Sequence, residues 1–267
     1  VDSFFAYGLD VGVVSALFFA NRLIQLPLSV FGMAVAVAIL PTAAKSGAEK
    51  NDAAIRDTIL YGLRASTFLI LPAMVGLMVL SQPLVTLLFQ RFEFDTAVAT
   101  MCANALLLYA IGLPAFAWVK VGVNGFYAIK RPGIPVIIAS ISMVLNIILN
   151  FLLVGPLGYK GLALSTSIAF TVNFLLLYIL LSRRFGLLMD KDAADSLIKT
   201  LLAALIMGAG VWGIASYTAD LAPGLPGQLL HIGLSVGGGA MLYALAAHVL
   251  GIPEWQRLLL GLRRRGK

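Results

Sequence analysis

The sequence predicts an all-α bundle that crosses a lipid bilayer several times, and three observations predict it. Apolar residues fill 60% of the 267 positions and charged residues only 12%, roughly half the charge of an ordinary soluble domain. The apolar residues fall in runs long enough to cross a hydrocarbon core about 30 Å thick at about 1.5 Å per residue. The Lys and Arg residues gather in the short gaps between those runs. A soluble protein of this size needs a polar skin that this composition cannot supply, so lipid must be the solvent for much of the surface.

Seven runs lie near 14–42, 58–80, 97–122, 134–154, 161–182, 196–217 and 228–250. Residues 1–9, VDSFFAYGL, read as the end of an eighth helix whose start is missing. Position 1 is Val rather than Met and no cleavage site follows, so the chain reads as a piece of something longer. Breakers stand in the gaps: Pro132-Gly133, Gly155-Pro156 with Gly158, and Pro223-Gly224 with Pro226-Gly227. No run alternates as a strand does, and an open sheet would leave unpaired edges in hydrocarbon.

Alternate gaps and the tail hold Lys45, Lys50, Arg56, Lys130, Arg131, Arg183, Arg184, Lys191, Lys199, Arg257, Arg263, Arg264, Arg265 and Lys267. The opposite gaps hold only Arg91 and Lys160. Basic residues mark the cytoplasmic side, which predicts an internal C-terminus and places residue 1 near the outer half of the membrane. The same distribution answers the nucleic-acid reading that a net charge of +7 invites. Phosphate-binding residues cluster on one face among aromatics, and these do not. The single cysteine, Cys102, has no internal partner and no histidine near it in sequence.

Three cations remain. Arg64 and Lys120 lie within reach of the cytoplasmic interface and can snorkel to it. Arg22 sits well inside the first run beside Asn21 and Gln25, where a bare charge is costly unless it meets water or a partner. Arg22, Gln25 and Ser29 fall at i, i+3 and i+7 on one stripe, with Pro27 among them permitting a kink. Two readings stay open. Either Arg22 forks onto a phosphate or carboxylate in a wet cavity, or it forms an ion pair with Asp10.

A second constellation joins Asn146 and Asn150, at i and i+4, to Thr166 on the next helix and Asp2 in the truncated one. These are oxygen ligands suited to a small hard cation such as Na⁺, or amides and hydroxyls that fasten helices together. His231 and His248 are seventeen residues apart, at different levels of the last run, and cannot share a metal. Gly237-Gly238-Gly239 has neither the preceding strand nor the following Lys-Ser/Thr of a phosphate loop. No Ser-His-Asp set, HExxH or intramembrane carboxylate pair supports an enzyme.

The segment SALFFANRLIQLPLSVFGMAVAVAILPTAAK (15–45), then LLFQRFEFDT (87–96), GFYAIKRPGIP (125–135) and GPLGYKGLALSTS (155–167), resemble four segments of the MurJ/MviN family in order and spacing. Ser29 stands where the family usually has Gly, and so does Glu93. The resemblance implies an inverting flippase of the MOP superfamily that moves lipid II, the undecaprenyl-diphosphate-linked peptidoglycan precursor, across the bacterial inner membrane. Residues 1–185 would then be the C-terminal lobe, from the end of helix 7 through helix 12. Residues 186–267 would be helices 13 and 14 with a basic cytoplasmic tail, forming the groove for the polyprenyl chain. Arg22 matches one of the family's cavity arginines, with Asn21, Gln25 and Ser29 beside it as substrate-binding residues. Asp2, Asn146, Asn150 and Thr166 fall where some members place Na⁺. The implied partners are lipid II, membrane lipids and the N-terminal half of the same flippase, with no cofactor beyond a Na⁺ coupling ion. A sister exporter of another lipid-linked oligosaccharide or of drugs would share this pattern, and an enzyme acting on polyprenyl phosphates is the rival of another class.

Overall fold

A computed structural model describes residues 5–6, 9, 12–89, 95–186, 190–218 and 224–265, the side chains of the last stretch as far as residue 259. Asp2, Asp10, Arg91, Glu93 and Lys267 lie outside the described residues. Every element among the described residues is helical, and seven helices are long and apolar enough to cross a membrane, as the hydropathy pattern predicts.

The first crossing is one rod of 36 residues, built from α1 (Val13–Pro27), a π-helical segment (Leu28–Met33) and α2 (Ala34–Ala48). Pro27 accounts for the join. It has no N–H to donate and its ring crowds the carbonyl one turn back, so the regular ladder lapses and the chain winds wider for the next turn. There follow α3 (Asp52–Val79), α4 (Ser81–Phe89), α5 (Thr96–Ala128), α6 (Gly133–Leu157), α7 (Tyr159–Phe185), α8 (Lys191–Thr218), α9 (Leu225–Val249) and α10 (Pro253–Arg265). Several helices begin earlier than their apolar runs because a polar cap extends them. Asn51 accepts from the Ala54 N–H at 3.0 Å, and Asp95 accepts from that of Thr96 at 2.6 Å.

Helix α5 is the axle. Of its most apolar stretch 61% is buried, against 39% or less in every other crossing, as expected of a helix that is apolar all round. It packs against α1, α2, α3, α4 and α7. At Gly112 the α5 and α7 backbones approach closely: a Cβ there would stand 2.6 Å from Ser167 Oγ. The gap lets the Ser167 hydroxyl donate to the Leu108 carbonyl at 2.7 Å, a small-residue contact of the kind that joins helices in lipid. Helix α6 leans chiefly on α7. Gly158 turns the chain between them with φ +56°, a conformation that favours glycine.

The pair α8–α9 docks on α3 through Phe68, Leu71, Val75, Ala204, Met207 and Ala247. Pro72 sits inside α3 and cannot donate to the Phe68 carbonyl four residues back. The Tyr243 hydroxyl of α9 donates to that carbonyl instead, at 2.6 Å, so no acceptor is stranded in hydrocarbon.

Arg64 corrects the snorkelling expectation. Its side chain is 16% exposed and its Nε donates to Glu254 Oε1 of α10 at 2.6 Å. The other oxygen of Glu254 accepts from Ser196 Oγ of α8 at 2.6 Å. Lys120 is exposed.

Candidate functional site: a cleft between the first and fourth crossings

A cleft of about 770 Å³ opens between α1 on one side and α6 with α7 on the other, floored by α5. Asn21, Arg22 and Gln25 line one wall, with Phe18 beside them. The Arg22 guanidinium lies 5.0 Å from the Phe18 ring centre, one turn back. Gln25 Nε2 donates to Asn21 Oδ1 at 2.6 Å, which holds both amides at the wall. Arg22 is exposed to the cleft, about 14 Å along the rod from Val13 at the standard helical rise. Among the described residues no carboxylate lies within ion-pair distance of it. The Asp10 pairing cannot be placed, since Asp10 is outside them.

Ser29 departs from the expected stripe. It is absent from the cleft lining, and its hydroxyl donates to the Leu26 carbonyl of its own helix at 3.0 Å. The physical reason is the π-helical segment that begins at Leu28: a wider turn breaks the phase that an i, i+7 count assumes.

The facing wall holds Ser142 and Asn146 of α6 with Thr166 and Asn173 of α7. Asn146 Nδ2 donates to Thr166 Oγ1 at 3.2 Å and lies 3.5 Å from Ser165 Oγ. Asn150 is fully buried behind this wall. Its Nδ2 donates to Asn146 Oδ1 at 3.5 Å, and its Oδ1 accepts from Ser165 Oγ. Asn146, Asn150 and Thr166 are therefore brought together, with Ser165 as a fourth member that sequence reasoning missed. Asp2 is outside the described residues. The network offers neutral amide and hydroxyl oxygens, already engaged with one another, which suits the fastening of α6 to α7.

Asn21, Arg22 and Gln25 thus face Asn146 and Thr166 across one cleft. Asn173 was also missed, although it lies seven residues after Thr166 and so on the same helical face. Tyr109 and Val119 of α5 form part of the floor, and Phe170 of α7 stacks edge-on against Phe116, ring centres 4.4 Å apart. Phe5 meets Phe151 of α6 edge-to-face, ring centres 4.8 Å apart.

Residues 1–232 match the family described as "Lipid II flippase MurJ". The chain belongs to this family. Among curated MurJ-family relatives, the probable lipid II flippase MurJ of Vibrio cholerae serotype O1 is 33% identical over 252 residues, covering 94% of this chain and 48% of the relative. That of Rhizobium meliloti is 34% identical over 246 residues, covering 90% and 46%. A solved structure, "Lipid II flippase MurJ, inward closed conformation", superposes with a TM-score of 0.69 at 26% identity over 90% of this chain and 48% of that one. A MOP superfamily transporter from Pyrococcus furiosus shares the fold, with a TM-score of 0.56 at 15% identity over 95% of this chain and 60% of its own. The chain spans about half the length of the curated MurJ relatives it matches. Family and apolar crossings together make it a multi-pass membrane protein of MurJ type.

Proposed function

We propose that this chain forms the second lobe and the two trailing helices of a flippase that carries lipid II across the bacterial inner membrane by alternating access. One observation supports this reading above the others: Arg22 sits in a roomy intramembrane cleft with no carboxylate partner among the described residues. A diphosphate cannot cross hydrocarbon unaided, and a guanidinium can donate two parallel hydrogen bonds to it while the polyprenyl chain stays in lipid. No covalent step is required. The facing lobe is supplied by the N-terminal half, which accounts for relatives about twice as long. Depleting the chain in its native host should make lipid II accumulate in the inner leaflet, and re-expression should clear it. Unchanged lipid II with a build-up of a different lipid-linked glycan would move the protein to a sister exporter.

The basic gaps favour a cytoplasmic C-terminus. A reporter fused after Lys267, or between Lys45 and Asp57, should therefore be cytoplasmic, and one between Thr218 and Gly227 external. Cysteine-accessibility labelling with the reverse pattern would overturn the orientation.

The coupling ion in this reading is Na⁺, held by oxygens of Asn146, Asn150 and Thr166 together with Asp2. Asn150→Leu should then abolish any Na⁺-dependent rise in melting temperature. Equal stabilisation of variant and parent would leave the cluster as helix packing alone.

A further inference from the structure

The two walls of the cleft differ in chemistry. The α1 wall carries the cation Arg22, whereas the α6–α7 wall is polar and uncharged: Ser142, Asn146, Thr166 and Asn173. Most of these groups are occupied. Ser142 donates to the Ile138 carbonyl of its own helix at 2.9 Å, and Asn146 and Thr166 share the network behind the wall. Asn173 stands apart. It is 7% exposed, lines the cleft, and has no hydrogen bond to any other described residue.

A carboxamide offers two donors and one acceptor, and Asn173 presents its unpaired amide to the cleft, where a ligand that meets both functions is the complementary one. A phosphate supplies acceptors only, and Asn173 has no cation beside it on its wall to share the charge. An amide or a hydroxyl supplies both functions and is the complementary partner. Aromatic faces lie close by, Phe170 one turn back on α7 and Tyr109 on the floor, as suits the apolar face of a sugar ring. We infer that Asn173 marks a subsite for the uncharged, amide- and hydroxyl-bearing portion of a diphosphate-linked ligand, so that Arg22 holds the diphosphate while the α6–α7 wall positions the group beyond it. This rests on the flippase reading above and assigns the part of the substrate that each wall receives.

The experiment uses the protein made from its native gene, purified into nanodiscs, with three probes. They are lipid II, the undecaprenyl-diphosphate-linked disaccharide without peptide, and undecaprenyl diphosphate alone. Asn173→Leu should weaken lipid II binding about tenfold, as the loss of a buried hydrogen-bonding group does, while binding of undecaprenyl diphosphate changes by less than about twofold. Asn173→Gln should recover part of the loss, and Arg22→Ala should weaken all three probes. A loss shared by the peptide-free disaccharide places the partner on the glycan; a loss confined to lipid II places it on the peptide. Either result supports the subsite. Should Asn173→Leu lower the melting temperature, Asn173→Ser, which keeps a polar group of smaller size, is measured in its place with the same expectation. Unchanged lipid II affinity, or an equal loss for all three probes, overturns the subsite and returns Asn173 to a structural role. A parent that binds none of the probes overturns the flippase reading itself, and the subsite with it.

Discussion

Replacing Arg22 with alanine will leave the protein folded and inserted but unable to sustain growth of a flippase-depleted strain. The side chain is exposed to the cleft and makes no ion pair with a described residue. Its recorded contact, with the Phe18 ring at 5.0 Å, is worth about 0.5–1 kcal/mol at an exposed site. Little stability is therefore at stake in the substitution. Function is another matter, because a guanidinium within a membrane-spanning helix is tolerated where it faces water or an anion, and a diphosphate is an anion that accepts both arms of the fork. Arg22→Lys should recover only part of the activity, since an ammonium keeps the charge and loses the fork. Complementation should be scored with protein level measured alongside. If Arg22 served only to pair with Asp10, both Arg22→Ala and Asp10→Ala would lower protein level instead. Full growth with Arg22→Ala would remove this residue from the substrate path.

Breaking the Arg64–Glu254 pair will destabilise the protein more than any other single change at a polar site described here. Arg64 is 16% exposed and Glu254 only 4%, so removing either partner leaves the other charge largely cut off from water. Such losses run to about 3–5 kcal/mol in buried pairs, whereas replacing both partners by apolar residues is often close to neutral. Glu254→Leu should lower the melting temperature by several degrees, and Arg64→Met should do the same. The double variant should recover most of the loss, a coupling that a double-mutant cycle measures directly. Single variants that melt with the parent would show that water reaches the pair and screens it.

The seven crossings were legible because lipid imposes one requirement on every residue of a span, and the apolar runs record it. Their ends were less so. The cap at Asn51 extends α3 through polar sequence, where hydropathy is silent. Helices α4 and α10 were hidden for separate reasons: α4 carries Pro83 near its start, and α10 ends among arginines in a run too short to cross. At the site, Arg22 stands out as a charge in the wrong solvent; helical spacing pairs Asn146 with Asn150, and the short turn after α6 brings Thr166 beside them. That Arg22 lines the same cleft as Asn146 and Thr166 depends on how α1 and α6 lie about α5, which no local pattern encodes. Glu254 lies 190 residues from Arg64, so nothing near Arg64 announced its partner. Asn173 could have been found by carrying the Thr166 face two turns further.

The hydrogen bond that replaces the missing donor of Pro72 has a mechanical consequence. Proline ordinarily gives a transmembrane helix a place to flex, because an unclaimed carbonyl costs the same bent or straight. Here that freedom is claimed by Tyr243, and α3 is further fastened by Arg64 to Glu254, itself tied to Ser196. Bending α3 at Pro72 would pull the Phe68 carbonyl away from Tyr243 of α9, so this bond and the Arg64–Glu254–Ser196 tie both resist a kink there. Helix α6, which leans chiefly on α7, has no such tie to this block. The trailing helices act as a splint along one side of α3.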